Sequence, residues 1–370
     1  MNGTAHADTP GMPSVLGVAV LLAQASAVPA ESASVQFHGF VDVFYGLNTN
    51  RPFDGTSFVP GTGTTARRAN EFNLNAAAVD VSLQPRPVGF HLTLAVGSGP
   101  DVVHASEPAG SAIGPDVWRF VYQASVSYTV PIGSGLVVEA GIYPSHIGFE
   151  SFFSKDNWTY TRGWMGEFSP YYQAGVKASY AFDAHWSAQL HFLNGWQTIG
   201  DNNRANAVGT QLAWNSDAAS FAFNTFAGPE LPGDDSHWRL FGDLTALVKV
   251  TRRLSLGATA DVGWQDRPQG AAIWHAAAVL ARLAFSDRLA VAARAEYYDD
   301  VDGFFSGAPQ VLREGTATLE LRPAEHLIVK LEMRQDFAGA RVFSAERDAA
   351  GNPTFSKTQT LAIASGVAEF

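Results

Sequence analysis

From residue 35 to residue 370 the chain alternates apolar and polar residues in short runs, and this period of two constrains its fold more than any other feature. A run of that kind makes a strand with one apolar and one wet face. In the first run Phe37, Gly39, Val41, Val43, Tyr45 and Leu47 face one way, and Gln36, His38, Asp42 and Asn48 the other. Near the far end Leu327, Val329, Leu331 and Met333 oppose Ile328, Lys330, Glu332 and Arg334. About sixteen such segments follow one another, with no long amphipathic helix to cover a sheet. A sheet that long must hide its edges, and closing it into a barrel removes them. The polar face is then inside. The expected fold is all-β: a single transmembrane antiparallel β-barrel of about sixteen strands, with fourteen or eighteen as the nearest alternatives.

Connection lengths sharpen this expectation. Pro85–Val88, Pro131–Gly135, Asp183–His185, Asn215–Asp217, Thr251–Arg253, Ser286–Arg288 and Pro323–Glu325 are short. Between them lie the longer stretches 48–70, 98–118, 148–169, 197–204, 229–236, 266–271, 299–312 and 338–355. Strict interleaving puts short periplasmic turns at one end and external loops at the other, as in bacterial outer-membrane barrels. Aromatic residues support the same orientation. Tyr45, Phe120, Tyr172, Trp196, Trp238, Trp264 and Tyr297 fall at the long-loop ends of strands, and Phe37, Tyr128, Phe182, Trp186, Trp214 and Phe285 at the short-turn ends. Two such belts match interfacial girdles. Two strands fit less well. In 71–83 the apolar register must shift, which predicts a bulge near Ala77. In the last strand Leu361, Ile363 and Val367 lie opposite the face that holds Phe370.

Residues 14–27 form an apolar stretch ending in Ala25-Ser26-Ala27, so 1–27 is expected to be a secretory signal and 28–370 the barrel, although residues 1–13 carry no Lys or Arg. The chain has no Cys, which leaves neither disulfides nor thiolate metal sites. A net charge of −11 argues against a nucleic-acid partner. The histidines show no paired ligand spacing. Asp234-Asp235 and Asp299-Asp300-Val301-Asp302 lack the spacing of a calcium loop, so no metal or other cofactor is expected. Ser145-His146 cannot pair as nucleophile and base, because adjacent strand residues point to opposite faces, and no enzyme is expected.

The segments GFVDVFYGLNTN (39–50), NEFNLNAAAVDV (70–81), GIYPSHIGFES (141–151), NWTYTRGW (157–164) and NGWQTIGDNN (194–203) resemble, in order and spacing, the OmpL-like beta-barrel porin family. The resemblance runs from about residue 36 to the C-terminus and implies an outer-membrane channel in a Gram-negative-type bacterium. A homotrimer is a further expectation, by analogy with general porins alone.

The third long stretch, 148–169, follows the fifth strand, the position from which general porins fold a loop inward. It carries Glu150, Lys155, Asp156, Asn157, Arg162 and Glu167, and fixed charges at a constriction set which ions pass. These six are the expected pore constriction. Register places Lys177, Arg239, Asp243, Asp261, Arg282, Arg294, Glu296, Lys330, Glu332 and Arg334 on the pore lining. Lining charges of both signs give no clear ion preference. The expected function is a water-filled channel for passive diffusion of small hydrophilic solutes or ions across the outer-membrane lipid. The alternative is a non-conducting barrel that acts through its external loops in adhesion or anchoring.

Overall fold

Sixteen strands form one closed antiparallel barrel in the computed structural model, which describes residues 34–105, 107 and 118–370. The expected signal segment 1–27 lies outside the described residues, as do 106 and 108–117 of the second long connection. The strands are β1 (Gln36–Asn48), β2 (Phe72–Leu83), β3 (Val88–Val96), β4 (Val121–Val130), β5 (Leu136–Pro144), β6 (Tyr172–Ala181), β7 (Trp186–Leu193) and β8 (Ala207–Asn215). The second half holds β9 (Ala219–Leu231), β10 (Asp234–Lys249), β11 (Leu254–Gln265), β12 (Ala272–Ser286), β13 (Leu289–Asp300), β14 (Gln310–Ala324) and β15 (Leu327–Ala338). A small hairpin, β16 (Phe343–Ala345) with β17 (Thr354–Ser356), stands apart from the wall, and β18 (Thr358–Glu369) closes it. Closure runs from Phe40 opposite Glu369 to Asn48 opposite Leu361. No edge is left unpaired, which is what a strand needs in lipid.

The alternation sorts as expected. Val43, Leu244, Val262, Val279, Leu331 and Met333 are exposed on the outer wall, while Asp243, Asp261, Glu296, Lys330 and Arg334 are buried inside. No helix among the described residues is long and apolar enough to cross a membrane. Among the described residues two short α-helices sit in connections: α1 (Ser98–Val103) and α2 (Trp164–Phe168).

Two local expectations are corrected, and two others gain detail. The expected bulge near Ala77 is present: the pairing jumps from Ala76 opposite Asp42 to Leu74 opposite Val43, leaving Asn75 as the extra residue. Asn75 is kept inside because its amide donates to Asp42 at 2.9 Å and its side-chain oxygen accepts from Ala66 N at 3.3 Å. Residues 229–236 are not a long loop. β9 and β10 continue to Leu231 and Asp234, joined through Gly233, whose φ of +71° fits the tight turn. Tyr172 and Trp196 do not join a girdle. Tyr172 is buried on His104, their rings 4.7 Å apart, and Trp196 lies beyond the end of β7, packed on Phe226 and Phe241. As their register implies, Leu361, Ile363 and Val367 of β18 lie opposite exposed Phe370, buried inside the barrel, where they pack in the same apolar clusters as Tyr160 and Phe152.

Candidate functional site

That inverted strand has a cause. The connection between β5 and β6, residues 145–171, folds into the barrel and presses an apolar underside on the wall. Phe149, Trp158, Tyr160, Trp164, Met165 and Phe168 of this inner loop cluster with Phe44, Trp274, Ala276, Leu280, Leu361 and Ile363. Burying such side chains contributes about 1.5–3 kcal/mol each. Apolar residues therefore appear on parts of the inner face that the loop covers.

Charged wall residues hold the loop's backbone. Glu332 accepts from Tyr160 N at 2.5 Å, from Thr161 N at 3.0 Å and from the Thr161 hydroxyl at 2.5 Å. Lys330 donates to the carbonyls of Ser154 and Asn157 at 2.7 and 2.5 Å. Arg334 donates to Arg162 O at 2.5 Å while pairing with Asp336 at 2.8 Å. Glu296 accepts from Trp164 N and Met165 N at 2.7 and 2.5 Å, at the start of α2. Asp243 accepts from Gly148 N at 3.0 Å, and Asp42 from Ser154 Oγ and Tyr160 Oη at 2.6 and 2.8 Å. A bond of this kind to an ionised carboxylate, or from Lys330 or Arg334, is about twice as strong as a neutral one.

Arg294 is the hub. It donates to Glu150 at 2.5 Å, Glu314 at 2.6 Å, and Thr159 Oγ1 and Thr161 O both at 2.7 Å. Of the six loop residues expected at a constriction, Glu150 is thus buried in this hub. Glu167 turns outward and accepts from Gly63 N, Thr64 N and Thr64 Oγ1 of the first long loop, at 2.8, 3.1 and 2.7 Å. The Asn157 side chain stays within the loop, accepting from Ser151 N and donating to Ser151 O at 2.8 Å each. Lys155 and Asp156 pair at 2.8 Å and face open space, and Arg162, itself buried, borders it.

Among the expected lining residues, Lys177 borders the open space, paired with Glu139 at 2.9 Å. Arg282 pairs with Glu320 at 3.0 Å. Arg239 sits at the outer end of β10 against the rings of Trp196 and Phe304, 5.1 and 5.3 Å from their centres. Asp261 is buried inside. Arg294, Glu296, Lys330, Glu332, Arg334 and Asp243 point inward but lie beneath the inner loop, which register alone does not reveal.

Below the loop lies a cavity of about 2900 Å³. Its lining comes from strands, from short turns such as Asp183–His185 and Asn215–Asp217, and from the inner loop. It therefore opens at the short-turn end. Sequence reasoning missed two of its features. Tyr122, Phe152, Phe153 and Tyr171 gather at its roof, with Tyr122 and Phe152 stacked at 5.1 Å. At the loop's entry His146 stacks on His191 at 4.1 Å, in space left by Gly209, where a Cβ would come within 2.6 Å of the imidazole. Burial lowers the His146 pKa, keeping the ring neutral. The sequence signal for both was weak: aromatic residues and histidines recur throughout the strands.

A family model described as beta-barrel porin-2, OmpL-like, matches residues 34–370. No curated protein matches the chain. Among solved structures, the anion-selective porin from Comamonas acidovorans is similar at TM-score 0.61 and 11% identity, over 91% of this chain and 100% of that one. In-vitro folded OmpT of Vibrio cholerae, in its trimer form, is similar at 0.58 and 10%, over 92% and 100%. OmpF of Salmonella typhi, in complex with daunomycin, is similar at 0.58 and 12%, over 91% and 98%. At such identities the likeness concerns the fold alone.

Proposed function

The chain belongs to the OmpL-like beta-barrel porin family of the Gram-negative outer membrane, and from that premise we propose that it is a channel for passive diffusion of small hydrophilic solutes or ions. The observation that carries this reading is the large cavity, bordered by charged residues such as Asp80, Glu139, Lys177 and Lys249 as well as by aromatic ones, open at the periplasmic end and ending on a loop that the wall charges hold in place. Passage is limited at the inner loop, where Glu150, Lys155, Asp156 and Arg162 border the cavity. Asn157 and Glu167 act there by holding the loop's shape. Charges at such a point act on a permeating ion in partly desolvated space, whereas water screens more distant wall charges within about 8–10 Å at moderate salt. A homotrimer, as in the trimer form of the Vibrio neighbour, is the assembly to test first. Liposome swelling with sugars of increasing size tests the channel: small sugars swell the vesicles and larger ones fail. Equal exclusion of all of them would oppose it.

One observation favours the alternative, a non-conducting barrel that acts through its external loops. Above the inner loop, Phe58 and Val59 of the first long loop, Trp164 and Phe168 of α2, and Phe343 of the last form one apolar cluster with the wall. If that cluster blocks every path, vesicles carrying the folded barrel stay impermeable even to the smallest sugar.

A further inference from the structure

We propose that the roof of the periplasmic cavity binds small aromatic monocarboxylates, with Arg162 receiving the carboxylate and Tyr122 and Phe152 the ring. This deepens the channel reading by naming a solute class, and rests on it only in requiring that solute reaches the cavity.

The starting point is an unmet charge. Arg162 borders the cavity and is 3% exposed, yet its Nε and Nη1 find no acceptor. Its Nη2 reaches only Glu150 O, at 3.4 Å. The carboxylates nearby are engaged elsewhere: Glu150 with Arg294 and Gly163 N, at 2.5 and 2.7 Å, and Asp156 with Lys155. A buried guanidinium without acceptors is costly, and its place over the Tyr171 ring, 4.3 Å from the centre, offsets only part of that. An incoming carboxylate supplies what the protein leaves out, through charge-assisted bonds.

The surroundings select the rest of the ligand. Tyr122, Phe152, Phe153 and Tyr171 border the same space and contact one another at 4.7–5.9 Å between ring centres. A flat ring packs on such a surface edge-to-face or offset, while a sugar or a bare inorganic anion gains less. Asp156 and Glu369 lie close to Lys155, so a second negative charge on the ligand would meet repulsion. One carboxylate on one ring is the best match.

Calorimetric titration of the folded full-length barrel in detergent with benzoate tests this without relying on conductance. Benzoate should bind saturably and at least about tenfold more tightly than acetate, which lacks the ring, or benzyl alcohol, which lacks the charge. Arg162→Gln should weaken benzoate about tenfold or more, Arg162→Lys less, and Arg252→Gln, on an exposed periplasmic turn outside the cavity lining, not at all. Heat-modifiable gel mobility checks folding. Should Arg162→Gln fail to fold, Tyr122→Ala serves instead, and should weaken benzoate while leaving acetate unchanged. Benzoate binding no tighter than acetate, or unchanged in a folded Arg162→Gln, overturns the site. A barrel silent in bilayers that still binds benzoate keeps the site and sinks the channel. A conducting barrel indifferent to benzoate does the reverse.

Discussion

Replacing Glu332 tests how the inner loop is held. Its carboxylate is 2% exposed and takes four hydrogen bonds, from Tyr160 N, Thr161 N and the hydroxyls of Thr161 and Thr318. Glu332→Ala leaves two buried backbone N–H groups without acceptors, each costing about 1–3 kcal/mol, besides the hydroxyl bonds. Neighbouring losses do not add fully, so a total of about 3–5 kcal/mol is expected. Glu332→Gln should cost less, about 1–3 kcal/mol. Its carbonyl can keep both Thr161 bonds, while its NH₂ faces the Tyr160 N–H, donor against donor. Arg282→Ala is the reference. That residue pairs with Glu320 away from the loop, and its side chain is 18% exposed, so about 1 kcal/mol or less is expected. Urea unfolding in lipid vesicles, followed by tryptophan fluorescence, measures all three, and Trp158 and Trp164 report the loop directly. Equal midpoints for Glu332→Ala and Arg282→Ala would mean that the wall charges do not hold the loop.

Arg162→Ala should shift the reversal potential in a salt gradient with little change in stability, because its guanidinium makes one long hydrogen bond; Glu150→Ala should also cost about 3–5 kcal/mol, since it strips a partner from buried Arg294. Gly263→Ala should prevent normal folding, seen as loss of heat-modifiable mobility, because a Cβ there would come within 1.9 Å of the Trp274 ring. His104, in the second long loop, has its pKa pushed down to about 4 by burial and by nearby Arg119. Its folded value lies below the ordinary 6.5, so the stability it contributes is complete above that value and lost as pH falls toward about 4. Between about pH 7.5 and 4.5 the wild type should therefore lose more thermal stability than His104→Gln, by up to about 3 kcal/mol.

The barrel was legible because its rule is local: alternation along each strand, with short and long connections in turn, gives strand number and sidedness without knowledge of partners. Legibility failed where a residue answers to a distant segment. Leu361 and Ile363 break the apolar-out rule because they meet the inner loop, about two hundred residues earlier in the chain. Asn75 is the bulged residue because Asp42 offers it an acceptor inside. Glu150 and Arg162, equivalent as loop charges in the sequence, separate once Arg294 claims only Glu150. Lys330, Glu332 and Arg334 were placed on the inner face by register, but their role in gripping a loop backbone needed the fold. The histidine pair was invisible for the same reason: His146 and His191 come together only through the inner loop's entry and β7.

Single-channel recording of the purified barrel in a planar bilayer tests the central claim most directly. Stepwise ohmic conductance is predicted, with larger or noisier steps in Glu332→Ala, where the loop is loosened. A correctly folded barrel that stays silent, in the wild type and in Glu332→Ala alike, would contradict the channel.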